Sequence, residues 1–176
     1  MSENIISMMS PFSKIKFAAG FFSLICSLLI YSCDQNNSAL TADEIKKNEV
    51  EIIKMAKGAE RDITAKGPKA WLSYFENNPD FFMASDGNLV FKDYPSAKTY
   101  ITETLEYSLS AVKLKWGDIH VSSVSPEFAT MASDFTEQLT NNDNKAVTVA
   151  GYFTCTVHKT KAGWKIRNAH WSIKKN

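Results

Sequence analysis

A chain of 176 residues with 20 Lys and Arg against 19 Asp and Glu has a formal charge of +1. That is too weak a field to hold a polyanion, and no basic run tracks a phosphate backbone, so nucleic acid is not an expected partner. Four Trp, six Tyr and eleven Phe at 22% charged residues are enough to build a core, which excludes a disordered chain.

The composition averages over two unlike pieces. Residues 1–16 are polar and end in Lys14 and Lys16, and Phe17 to Tyr31 then run FAAGFFSLICSLLIY without a charge. This is the charged region followed by the apolar region of an export signal. Those 15 residues, if helical, rise roughly 22 Å at about 1.5 Å each, short of a hydrocarbon core of about 30 Å. A cleaved signal is therefore expected rather than a stable span. The stretch closes as Leu29-Ile30-Tyr31-Ser32-Cys33-Asp34, with an apolar residue three places before the Cys and a small one directly before it, and resembles a bacterial lipoprotein lipobox. The resemblance implies a signal peptide over 1–32, lipid on Cys33 as the membrane anchor, and a polar tether over 33–40. Loss of Lys14, Lys16 and Glu3 with the signal leaves acidic and basic residues in equal number. Cys26 leaves too, and Cys155 then has no partner for an internal disulfide.

The domain is expected over 41–176. Thr41-Ala42-Asp43-Glu44 is a capping box, followed by Ile45, Ile52, Ala56, Ala59 and Ile63 at helical spacing opposite Lys46, Lys47, Lys54, Lys57 and Arg61. Lys66-Gly67-Pro68 stops this helix and opens a short second one whose buried edge is Trp71, Leu72 and Phe75. Phe81 to Ser85 and Asn88 to Phe91 flank Asp86-Gly87, a strong hairpin signal. Ala97, Ile101, Leu105 and Leu109 predict a third helix over 96–109.

From there the period becomes two. Val112, Leu114 and Trp116 alternate with Lys113 and Lys115, and the phase slips at Gly117, which predicts a bulge or bend. Further strands are predicted over Phe128 to Leu139, Ala146 to Lys159 and Trp164 to Ile173, joined by Asn141-Asn142-Asp143-Asn144 and by Lys161-Ala162-Gly163. The fold class is α+β.

This order of elements, with the Asp86-Gly87 hairpin and the closing run Gly163-Trp164-Lys165-Ile166-Arg167-Asn168-Ala169-His170-Trp171-Ser172, resembles the nuclear transport factor 2-like superfamily, in particular its SnoaL-like and calmodulin-kinase association-domain-like branches. The resemblance implies a cystatin-like cone, in which three helices pack on a curved, mainly antiparallel sheet around an apolar pocket, with frequent dimerisation through the sheet. It fixes architecture far better than activity.

Alternation places Trp164, Ile166, Asn168, His170 and Ser172 on one face of the last strand, and Arg167, Ala169, Trp171 and Ile173 on the other. If the first set faces the helices, His170 is a candidate general base; otherwise it is a structural histidine. Asp134 shares a face with Phe128, Thr130, Ala132 and Thr136 and is a candidate partner for His170, unless Met131, Ser133 and Phe135 form the core face. Trp71, Tyr74, Phe82, Phe91, Tyr100, Trp164 and His170 are the candidate pocket residues, and an aromatic-lined cavity favours a flat or apolar ligand. Cys155 reads as a small buried hydrophobe. No cluster has metal-ligand spacing and no phosphate loop or nucleophile elbow is present, so no cofactor is expected.

Three functions follow. One is a lipid-anchored envelope protein that binds a small apolar or aromatic molecule. The second is a cofactor-independent isomerase, dehydratase or hydrolase using His170 with Asp134. The third is an interaction module or homodimer that buries Trp171 and Ile173 on the convex face.

Overall fold

The computed structural model describes residues 39–175. The signal, Cys33 and nearly all of the tether expected from the sequence lie outside the described residues.

Helix α1 (Ala42–Lys66) begins at the expected capping box. The Thr41 side chain accepts from the Glu44 N–H, and the Glu44 carboxylate accepts from the Thr41 N–H. Ile52, Ala56, Ala59 and Ile63 are buried as one stripe, each large aliphatic contributing roughly 1.5–3 kcal/mol by leaving water. Ile45 is exposed and Asn48 is buried in its stead, its side-chain amide donating to the Ser125 carbonyl. Gly67, at φ 81°, ends the helix in a conformation that favours glycine.

A 3-10 helix (Pro68–Ser73) follows, then strands β1 (Phe82–Ser85) and β2 (Asn88–Phe91), whose turn has positive φ at both Asp86 and Gly87. The third helical stretch is composite. Helix α2 (Tyr94–Tyr100), capped reciprocally by Asp93 and Ser96, runs into a π-helical turn (Ile101–Leu105) and a last turn, α3 (Glu106–Ser108). Leu109, expected to close this helix, instead opens the next strand at φ −120°, ψ 125°.

The long strands β3 (Leu109–Ser123), β4 (Phe128–Asn141), β5 (Ala146–Thr160) and β6 (Gly163–Ile173) form antiparallel pairs in succession. β1 then adds to β6 in parallel, and the sheet order is β2-β1-β6-β5-β4-β3. The curved sheet wraps the helices into a cone with the core between them.

Two bulges set which residues face that core. In β3 the register slips between Trp116 and Ile119, at the expected Gly117. In β6 it slips between Asn168 and Ile166, which face the adjacent residues Thr156 and Val157 of β5 and leave Arg167 as the extra residue. Trp164 and Ile166 point inward before this second bulge, and Ala169 does so after it.

Strand β3 is a sheet edge, and edge backbone groups need partners. Helix α1 supplies them. Thr64 Oγ1 accepts from the Leu114 N–H and Glu60 accepts from the Trp116 N–H, while Lys57 Nζ donates to the Trp116 carbonyl.

Candidate functional site

The wide part of the cone holds a cavity of about 270 Å³. Its deep wall is aromatic, with Trp71 against Phe75 (5.6 Å between ring centres) and Trp116 against both Phe153 (5.3 Å) and Phe135 (6.3 Å). Packing fixes these rings, and the indole Nε1–H of Trp116 donates to the Ala56 carbonyl over 3.0 Å, which satisfies its polar atom. Val90 and Tyr100 line the cavity yet remain 41% and 42% exposed, so they mark its mouth. The π-helical turn contributes Ile101 and Leu105 to the wall.

Among the described residues, one that is charged lines this cavity, Glu137 of β4. Its direct neighbours in the sheet are Leu114 on β3 and Val149 on β5. Burial pushes its carboxyl up to about 7, and among the described residues no hydrogen bond or nearby charge counters the shift. Beside it, Phe135 packs over Gly151, where a Cβ would stand 3.0 Å from the ring.

The placement of the residues singled out in the sequence is mixed. Trp71, Phe91 and Tyr100 line the cavity. Tyr74 turns away from it, donating a 2.6 Å hydrogen bond to Asp62, and burial together with that carboxylate raises the phenol to about 12. Trp164 also points to α1, where its Nε1–H donates to Glu51, which in turn pairs with Lys159. Phe82 is exposed on β1.

His170 is exposed on the outer face, because the extra residue Arg167 reverses the alternation that would have carried it inward. The same reversal brings Trp171 and Ile173, expected on the convex face as a dimer surface, into the cavity wall. Asp134 also faces outward: the core face of β4 is Ala129, Met131, Ser133 and Phe135. His170 and Asp134 are two strands apart, with Tyr152 opposite Asp134 and Thr154 opposite His170 on the intervening β5. At about 4.8 Å per strand spacing, they do not meet as an acid–base pair, and neither touches the cavity.

Glu137 was not among the candidates. Its signal was present, since extending the set Met131, Ser133, Phe135 by two positions reaches it, but only if that set is already known to be the inner one.

Arg167 itself goes to the outer face. Its guanidinium stands over the Phe128 ring at 5.7 Å and pairs with Glu76 and Asp80, while His158 stacks on Phe128 at 4.4 Å and meets Glu76 at 2.9 Å. Cys155 is buried in the core and burial raises its thiol to about 12. Among the described residues no group of three or more His, Cys, Asp or Glu could hold a metal ion, and no helix is long and apolar enough to cross a membrane.

No family model matches the chain, and no curated protein does. Solved structures do. A Novosphingobium aromaticivorans protein provisionally assigned as a scytalone dehydratase superposes with a TM-score of 0.67 at 14% identity, over 77% of this chain and 89% of its own. A nuclear transport factor 2-like superfamily protein from Salmonella enterica gives 0.63 at 16% identity, over 74% and 94%. The hexachlorocyclohexane dehydrochlorinase of Novosphingobium barchaimii gives 0.61 at 10% identity, over 77% and 92%. The chain thus has the nuclear transport factor 2-like fold.

Proposed function

We propose that the protein is an exported, lipid-anchored envelope protein whose cone takes up a small apolar or aromatic molecule. The observation that carries the binding reading is the cavity of about 270 Å³ with its wall of Trp71, Phe75, Trp116, Phe135 and Phe153. A preformed apolar cavity with very few polar groups suits a ligand bound mainly by burial and ring contact. A neighbour of the same fold is named for hexachlorocyclohexane, itself a small apolar molecule. Export and anchoring rest on the sequence of residues 17–34, ending in Ser32-Cys33. Lipid would then hold a formally neutral domain at a membrane without basic charge.

The binding reading is tested by native mass spectrometry of the full chain released from its own membranes, beside a Leu139→Trp variant that fills the cavity. A bound small molecule on the parent and none on the variant is expected. Equal occupancy of both would place the ligand elsewhere. For anchoring, labelled palmitate should enter the parent and not a Cys33→Ser variant; label in the variant would overturn it.

A further inference from the structure

We infer that the cone is built for an apolar cation: a molecule whose amine is held by the Glu137 carboxylate while its body packs against Trp71, Trp116, Phe135 and Phe153. This rests on the binding reading above and assigns the charge class of the ligand.

The position of Glu137 is the first ground. It lines the cavity between Leu114 and Val149, and no described side chain donates a hydrogen bond to it. A carboxylate held in apolar surroundings without a partner is costly, and an opposite charge brought by a ligand offsets that cost.

The second ground is the absence of an internal counter-charge among the described residues. The cavity walls from the 3-10 helix and from β1, β2, β3, β5 and β6 contain no titratable side chain, and the helical wall contributes only the Tyr100 phenol. The lysines nearest in sequence on the adjoining strand, Lys113 and Lys115, are exposed and alternate with the inward Val112, Leu114 and Trp116.

The third ground is the aromatic wall. Ring faces attract cations and disfavour anions, most strongly at Trp, and Trp116 and Phe135 line the same cavity as Glu137. An anionic ligand of the same shape meets repulsion from Glu137 and from the ring faces alike. Because burial raises the Glu137 carboxyl toward neutrality, the preference for a cation must weaken as the pH falls.

The test uses three probes with one body, 3-phenylpropylamine, 3-phenylpropan-1-ol and 3-phenylpropanoate, titrated calorimetrically into the full chain and into Glu137→Gln. At pH 8.5 the amine should bind at least about tenfold more tightly than the alcohol, equivalent to about 1.4 kcal/mol, and the propanoate most weakly. At pH 5.5, or in Glu137→Gln, amine and alcohol should agree within about threefold. Equal binding of all three at pH 8.5 overturns the charge assignment and leaves the apolar-cavity reading standing. Failure of all three to bind overturns both. A preference for the amine that survives in Glu137→Gln removes Glu137 as its source. If that variant does not fold, the change between pH 8.5 and 5.5 in the parent decides: an unchanged preference overturns the inference.

Discussion

The carboxylate of Asp134 occupies the space that a Cβ on Gly117 would need, and its Oδ1 accepts a 3.1 Å hydrogen bond from the Asp118 N–H. Asp134 therefore holds the β3 bulge together from the outer face of the sheet. Gly117 is required there by close approach and not by its backbone angles, since its φ lies outside the positive range.

Replacing Gly117 by Ala forces the two strands apart or displaces the carboxylate. A loss of about 1–3 kcal/mol is expected in denaturant unfolding, the usual cost of inserting one methyl into filled space. With Asp134→Ala added, the combined loss should be smaller than the sum of the single ones, because the clash partner is gone. Strict additivity would mean that the two side chains do not share that space.

Glu137 gives the folded state a pH dependence of definite sign. Its carboxyl is raised to about 7 in the fold, against about 4.3 in an unfolded chain. Between those values the unfolded state has released the proton and the folded state still holds it, so stability falls as pH rises and levels off above about 7. At about 1.4 kcal/mol per pH unit the total is at most roughly 4 kcal/mol, reduced by whatever water reaches the cavity mouth. Glu137→Gln should remove this slope and unfold at higher denaturant than the parent at pH 8. A parent-minus-variant difference that rises over the same range would contradict the burial of this carboxyl, since the lowered carboxyls of Glu51, Glu60 and Asp62 are common to both proteins.

His170→Ala is expected to leave stability within about 0.5 kcal/mol of the parent, as for an exposed side chain away from any network. Trp171→Ala, one position on, should cost about 3 kcal/mol or more by emptying part of the cavity wall, and should weaken ligand binding as well. Guanidinium titrations of the two variants check the pair. The opposite ranking would restore the inward phase for His170.

Cys155 should be inert in the native protein. Its thiol is buried and raised to about 12, and it is the thiolate that reacts. Iodoacetamide at pH 8 followed by peptide mapping should find the Cys155 peptide unmodified until urea is added. Rapid native alkylation would place the sulfur at the surface.

What was legible in the sequence was local. The capping box of Thr41 and Glu44 and the hairpin turn at Asp86-Gly87 depend on groups within four residues of each other. The slip at Gly117 also shows in a broken alternation. Hydrophobic period identifies each helix and strand by itself, and the cone was reached through the resemblance that their order carries.

What only the tertiary structure decided was phase. Alternation divides a strand into two faces but does not say which is inside, and one extra residue exchanges them. Arg167 is such a residue, and nothing in Ile166-Arg167-Asn168 announces it. Its cause lies in other strands. Before the bulge Ile166 bonds with Tyr74 and Glu76, and after it β6 pairs with β1. That handover turned His170 outward, brought Trp171 and Ile173 to the cavity, and removed the expected acid–base pair. On β4, neighbouring strands likewise chose the face that carries Glu137, so the charge that lines the cavity was set by pairing across the sheet and not by the residues around it.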